Sequence, residues 1–186
     1  ALGLGHAVAV TAHLVGDEPF AVLLADDLIH HKKGAVKQMV EAFDYYKSSV
    51  IAVQQVDGPE ISSYGVISGK KQTDRVHLLN EIVEKPAFED APSNMGVTGR
   101  YIFTPQIFEH LAKLKPGAGG ELQLTDAIQA LLKAEQVLAY EYEGIRYDCG
   151  SKMGLLKANI ELGLLHHQIG DELRHYLINE LPAKLK

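Results

Sequence analysis

Phe20-Ala21-Val22-Leu23-Leu24-Ala25-Asp26-Asp27 is the stretch that decides how the rest of the chain is read. A run that is apolar at every position has no polar face to show to water, which is what a parallel strand covered on both sides requires. It ends in two carboxylates. Ligands of open α/β sheets sit at the carboxyl ends of strands, so Asp26 and Asp27 fall where chemistry is expected. Upstream, Leu4, Ala7, Val8, Thr11 and Val15 keep helical spacing and predict a helix over 4–15, closed by a turn at Gly16-Asp17-Glu18-Pro19. Downstream, Val36, Met39, Val40 and Phe43 mark a helix and residues 50–56 a strand. Strand, helix, strand is a βαβ unit, with a right-handed crossover expected.

Beyond it the pattern changes. Residues 64–68 and 76–83 flank Gly69-Lys70-Lys71-Gln72-Thr73-Asp74, an antiparallel hairpin inserted in the α/β run. Residues 96–103 resume strand character. Pro105 suits the first turn of a helix over 106–113. A glycine-rich loop over 116–120 leads into a helix carrying Leu124, Ala127, Ile128, Leu131 and Leu132, then a strand over 137–142. The tail over 151–179 reads as helix with a break at Gly170-Asp171. Alternating strands and helices imply a mostly parallel α/β sheet with helices on both faces and a small antiparallel insertion. No linker-like stretch interrupts the chain, so a single domain over 1–186 is expected.

The 186 residues are 46% hydrophobic and 23% charged, ordinary values for a globular protein. Eighteen Lys and Arg against 24 Asp and Glu give a net charge of −6. With no basic cluster, nothing favours nucleic acid or an anionic membrane as partner. An acidic chain that binds phosphates must concentrate positive charge locally or recruit a metal. One cysteine, Cys149, excludes an internal disulfide and fits a reducing cytoplasm. No apolar run approaches membrane-spanning length.

Several residues could carry chemistry. Asp26 at a strand end suits magnesium, which takes one or two protein carboxylates and keeps waters and phosphate oxygens for its other positions. The alternative is a turn cap at Asp27 and a solvated Asp26. Asp148, in Tyr147-Asp148-Cys149-Gly150, could be a second carboxylate or the cap of the tail helix. In Glu84-Lys85-Pro86, Lys85 offers a point charge for phosphate and Glu84 an acceptor for hydroxyls. The pair could equally be a surface ion pair of at most about 1 kcal/mol. Gly65, Gly96 and Gly99 inside strand patterns mark bulges or a ligand's close approach. Gly3 and Gly5 before the first helix admit the same two readings. The nine histidines show no metal-ligand spacing.

Taken in order, Gly3-Leu4-Gly5-His6-Ala7, the 20–27 stretch, Tyr64-Gly65-Val66, Val83-Glu84-Lys85-Pro86, Ala91-Pro92-Ser93-Asn94, Gly99-Arg100-Tyr101, the segment 116–128 and Asp148-Cys149-Gly150-Ser151-Lys152 resemble the bacterial UTP–glucose-1-phosphate uridylyltransferases throughout the chain. The resemblance implies a Rossmann-like nucleotide-binding sheet and a transferase that makes UDP-glucose and pyrophosphate from UTP and glucose-1-phosphate. It implies that Gly3 borders the uracil, that Asp26 and Asp148 bind Mg2+, that Gly65 and Glu84 contact glucose, and that Lys85 contacts its phosphate. Thr98 and Gly99 fall near the sugar. Asp26 and Lys85 are thus the catalytic candidates.

Two departures stand out. Ala25 occupies a position where the family commonly has Pro, and the family's amino-terminal glycine-rich loop and first strand are not in the sequence. The 186-residue chain alone is therefore expected to be inactive. Rival readings are a nucleotidyltransferase for another base or sugar, a glycosyltransferase holding a sugar nucleotide's metal on an Asp pair, and a non-catalytic fragment or assembly module. Leu155, Leu156, Ile160, Leu164 and Leu165 give the tail one apolar face, and Leu173, Tyr176 and Leu177 another. A homo-oligomer is expected, with residues 171–180 against a second subunit. The alternative is that this segment folds back on its own subunit.

Overall fold

A computed structural model describes residues 2–185. Ala1 and Lys186, the ends of the expected domain, lie outside the described residues. Contacts divide the chain into two compact units. One gathers the residues up to Leu24 with His31–Gly144, and the other gathers Ala25–His30 with the residues from Ile145 onward.

The first unit begins with helices α1 (Leu4–Ala9) and α2 (Ala12–Val15), where a single helix is expected from the spacing. They part at Val10-Thr11, and the Thr11 hydroxyl donates to Val8 O at 2.8 Å. Strand β1 (Phe20–Leu23) follows. Helix α3 (Ala35–Tyr46) buries Ala35, Gln38, Met39 and Ala42, one face at helical spacing, and closes on Lys47 in the left-handed region. Then come β3 (Ser49–Gln55), β4 (Gly65–Lys71), β5 (Val76–Glu84), β6 (Met95–Phe103), α4 (Ile107–Leu111), α5 (Leu124–Leu131) and β7 (Val137–Glu141).

The sheet order is β1-β6-β3-β7-β5-β4, with a further β6–β4 pairing at Val66↔Gly96. This corrects the expectation of a mostly parallel sheet. Among its pairings only β3–β7 is parallel. The cause is β6, which runs back between β1 and β3 and is antiparallel to both. The 64–83 hairpin is antiparallel as expected, but it is part of the main sheet through β5–β7 and β4–β6.

Strand position explains burial. Val50, Ile51, Ala52 and Val53 of β3, flanked by β6 and β7, are wholly buried. Among the described residues the equally apolar β1 pairs with β6 alone, and Leu23 is 55% exposed. It is not covered on both faces as its composition predicts. The core joins Ile51, Val53, Phe103 and Val137 to Leu124, Ile128 and Leu131 of α5. Truncating Ile51 or Ile128 to Ala should cost about 2–5 kcal/mol.

The second unit pairs β2 (Asp27–His30) with β8 (Ile145–Asp148) as an antiparallel ribbon, in the register Asp27↔Asp148 to His30↔Ile145. Helix α6 (Lys152–Leu165) follows, then α7 (Gly170–His175) and a wide turn over Tyr176–Glu180. The break lies at 166–169 rather than at Gly170-Asp171. Gly170 opens the second helix, packed so closely that a Cβ there would meet Leu164 O at 2.6 Å. Among the described residues no helix is long and apolar enough to cross a membrane.

Candidate active site

The first corner lies in the ribbon unit. Asp26 follows Ala25 in the turn that enters β2 and is exposed, while its neighbour Asp27 is buried. The Asp27 carboxylate pairs with the Arg146 side chain across the ribbon, at side-chain exposures of 8% and 13%. Asp27 is thus committed to the fold, and Asp26 is left facing solvent. The Asp26 carbonyl accepts the Cys149 N–H at 2.7 Å, which ties the turn to the segment after β8.

Asp148 closes β8. It does not cap α6 with its side chain: Ser151 is the cap, its hydroxyl accepting the Gly154 N–H at 3.0 Å. Asp148 Oδ1 instead accepts the Gly150 N–H at 3.1 Å. Gly150 is where the two exposed carboxylates converge. A Cβ built there would lie 3.1 Å from Asp26 Oδ2 and 3.2 Å from Asp148 Oδ1. Both oxygens therefore border one small space that a side chain at 150 would fill. Two carboxylates sharing such a space fit magnesium, whose remaining positions go to water and phosphate. Among the described residues no group of three or more His, Cys, Asp or Glu could hold a metal, so this is not an all-protein cage. Below the corner, the buried Tyr147 hydroxyl donates to Glu161 Oε2 at 2.7 Å. That hydrogen bond, with burial, pushes the phenol above its ordinary range.

The second corner lies in the sheet unit, where β5 ends beside the start of β4. Gly65 is in register with Glu84. A Cβ at Gly65 would meet Thr125 Cγ2 at 3.1 Å, Glu84 Oε2 at 3.5 Å and Val97 Cβ at 3.8 Å. The missing side chain is what lets strand, carboxylate and helix meet. Lys85 has φ +43°, a left-handed conformation on a residue that precedes proline. Both features are unfavourable, and such strain persists only where the surroundings enforce it. Here the Lys85 N–H donates to Tyr64 O at 3.0 Å and Pro86 is buried. The exposed ammonium lies 3.6 Å from Glu84 Oε1. That contact is worth little by itself, which leaves the charge available to a phosphate.

Thr125 is the residue that sequence reasoning missed at this corner. It is 8% exposed, and its Oγ1 is the buried side-chain polar atom left without a hydrogen-bond partner among the described residues. Such an orphan needs an explanation, and a ligand hydroxyl is one. Its signal was Thr125-Asp126 at the start of a helix behind a glycine-rich loop.

The other expected residues are tied into the sheet unit. Thr98 is buried and its hydroxyl donates to Ala52 O at 3.3 Å. The Gly99 carbonyl accepts the Leu24 N–H at 2.9 Å and an Arg100 N–H at 2.8 Å. Gly3, at φ +91°, lies so close to the loop after α4 that a Cβ would meet Glu121 Cβ and Leu122 O at 2.8 Å.

A family model described as "Nucleotidyl transferase" matches residues 1–163. The chain belongs to the nucleotidyl transferase family. Within that family it is 47% identical over 175 residues to a UTP–glucose-1-phosphate uridylyltransferase 2 from Staphylococcus saprophyticus, a match that covers 94% of the chain. The chain spans 61% of that relative's length. Among solved structures, a UDP-glucose pyrophosphorylase complexed with UDP-glucose is 45% identical with a TM-score of 0.83, covering 86% of this chain and 61% of its own. A UTP-bound enzyme from Acinetobacter baumannii is 34% identical with a TM-score of 0.87, covering 96% and 62%. Both corners fall inside the family match.

Proposed function

We propose that the chain is the part of a UTP–glucose-1-phosphate uridylyltransferase that carries its metal carboxylates and its sugar-phosphate corner. The observation that supports this most directly is the convergence of Asp26 and Asp148 on Gly150. Nucleotidyl transfer brings two anions together, so charge and positioning must supply most of the rate. A phosphate oxygen of glucose-1-phosphate attacks the α-phosphorus of UTP, and the bond to the β-phosphate oxygen breaks to release pyrophosphate. The attacking oxygen is already anionic, so no strong base is required.

Asp26 and Asp148 would hold magnesium, which when bound neutralises charge on phosphate oxygens. Lys85 holds the sugar phosphate with its exposed ammonium. Glu84 accepts from glucose hydroxyls, the Thr125 hydroxyl supplies a further polar contact, and Gly65 leaves room for the ring. Thr98 and Gly99 would lie near the sugar, and Gly3 would border the uracil. On this reading residues 1–186 act as one nucleotidyltransferase domain of a cytoplasmic homo-oligomer, with residues 171–180 at the subunit contact. Identities of 45–47% to uridylyltransferases favour UTP and glucose over another base or sugar.

The test is release of pyrophosphate by the full-length protein with Mg2+, UTP and glucose-1-phosphate, run beside the 186-residue chain and beside TTP and galactose-1-phosphate. UDP-glucose formed only with both cognate substrates supports the reading. Sugar transfer to an acceptor without pyrophosphate, or no turnover by the full-length protein, overturns it.

A further inference from the structure

Strand β5 is braced unevenly. Its first residues, Val76–Leu78, pair with β7, but β7 offers no partner to the rest of that edge. Four residues on, the Ile82 N–H still has an acceptor on the side away from β4: Gln129 Oε1 of α5, at 2.9 Å. The matching group on β4 is also taken by a side chain, since Ile67, in register with Ile82, accepts the Ser93 hydroxyl at 2.6 Å. Gln129 lies one helical turn after Thr125, so the two share a face of α5. That face therefore touches the hairpin at two points, the Thr125 methyl at Gly65 and the Gln129 carbonyl at Ile82.

Glu84 lies two residues beyond Ile82, on the same face of the strand, and the strained Lys85 comes next. A left-handed lysine ahead of proline stays in place only if the strand leading to it cannot shift. We propose that Gln129 is a positioning residue for the sugar-phosphate corner, acting through the Ile82 amide to fix the end of β5 that presents Glu84 and Lys85. The proposal rests on the role given above to those two residues.

Without an acceptor, the Ile82 N–H would be left unsatisfied against the helix, and the strand end would move to find water. A misplaced Glu84 and Lys85 weaken capture of the sugar phosphate and leave the nucleotide untouched. The test compares Gln129→Met, which keeps length and helix preference but removes the acceptor, with Gln129→Glu, which keeps an acceptor oxygen. Both are made in the full-length protein. Gln129→Met should raise the KM for glucose-1-phosphate about tenfold, with the KM for UTP unchanged. Amide exchange over 80–86 should quicken in the same variant. Gln129→Glu should restore both. Equal damage to both substrates, or a normal KM for glucose-1-phosphate with exchange quickened, reduces Gln129 to a structural contact and overturns the proposal. If the wild-type protein makes no UDP-glucose, the functional reading fails first and the positioning role fails with it. A wild type that turns over while Gln129→Met matches it overturns the positioning role alone.

Discussion

The two corners are built by opposite means. The Glu84–Lys85 corner sits on packed structure: Gly65 is in contact distance of a helix, Thr125 is buried, and Lys85 is forced into a left-handed backbone. The Asp26–Asp148 corner sits on a two-stranded ribbon that buries Tyr147 and the Asp27 carboxylate paired with Arg146, and both of its outward carboxylates are exposed. On the proposed roles, the lysine that meets the sugar phosphate is carried on packed backbone, although its ammonium is itself a mobile point charge. The proposed magnesium carboxylates are instead two exposed side chains that border one small space, with water and phosphate left to complete the ion's shell. Function and fold are therefore entangled at the first corner and separable at the second.

Asp26 and Asp27 put that separation to its hardest test, because they are neighbours in sequence. In the full-length protein Asp26→Ala should lower magnesium-supported turnover by more than about a hundredfold. The melting temperature should not change, since the side chain is exposed. Asp27→Ala should do the reverse. Removing one partner of a buried ion pair costs about 3–5 kcal/mol, so this variant should melt early, with residual turnover per folded molecule retained. Calorimetry beside a pyrophosphate-release assay measures both. An Asp26→Ala protein that melts early, or keeps its activity, would break the contrast.

Neither role could be read from the local pattern. Asp26-Asp27 is visible as a candidate pair, but which of them faces outward depends on Arg146, 119 positions away in sequence. The four-residue strands β2 and β8 carry too few residues for a periodicity and were missed. So was the sheet's mixed direction: apolar runs report burial, and β6, which is buried along nearly all its length, reads the same whichever way it runs. The position of β1 was hidden for a related reason, since Phe20–Leu24 is as apolar as the central β3, yet among the described residues β1 pairs with β6 alone and Leu23 is 55% exposed. What was legible came from residues whose chemistry is local: the helix spacing of α3 and α5, the hairpin turn, and the Glu-Lys-Pro and Asp-Cys-Gly motifs. The sequence left Asp148 as either a second carboxylate or a helix cap, and the family resemblance chose its pairing with Asp26. The cap at Ser151 shows why Asp148 could not be judged by its place before a helix.

The packed corner predicts a split between stability and activity. Lys85→Gly removes both the ammonium and the left-handed strain. Glycine adopts φ +43° freely, so relief of about 1 kcal/mol should offset much of glycine's extra entropy in the unfolded chain. The variant should melt no lower than wild type by more than about 1 kcal/mol, yet its KM for glucose-1-phosphate should rise about tenfold or more while UTP binding, followed by titration calorimetry, holds. A loss of UTP affinity with normal sugar-phosphate use would move Lys85 to the nucleotide and undo the assignment of this corner.

The smallest expected effect on chemistry lies in the tail. Within the chain, α7 folds back on α6: Leu173 Cδ2 comes within 2.8 Å of where a Gly163 side chain would begin, so Leu173 has found its partner. Other apolar residues of the same unit have not been covered. Leu165 is 68% exposed, Ile169 47% and Ile178 64%. Within the expected interface over 171–180, Leu173 therefore faces inward against α6, and Ile178 is left outward for the proposed second subunit. Closed twofold assemblies bury such a patch against its own copy. Ile178→Glu should therefore shift the full-length protein toward monomer in light scattering, as should removal of residues 170–186. The single substitution should leave the melting temperature and the turnover per subunit unchanged, because Ile178 is exposed and carries no proposed site role. An oligomer that survives both changes, or a wild-type protein that is already monomeric, would return the whole tail to its own subunit.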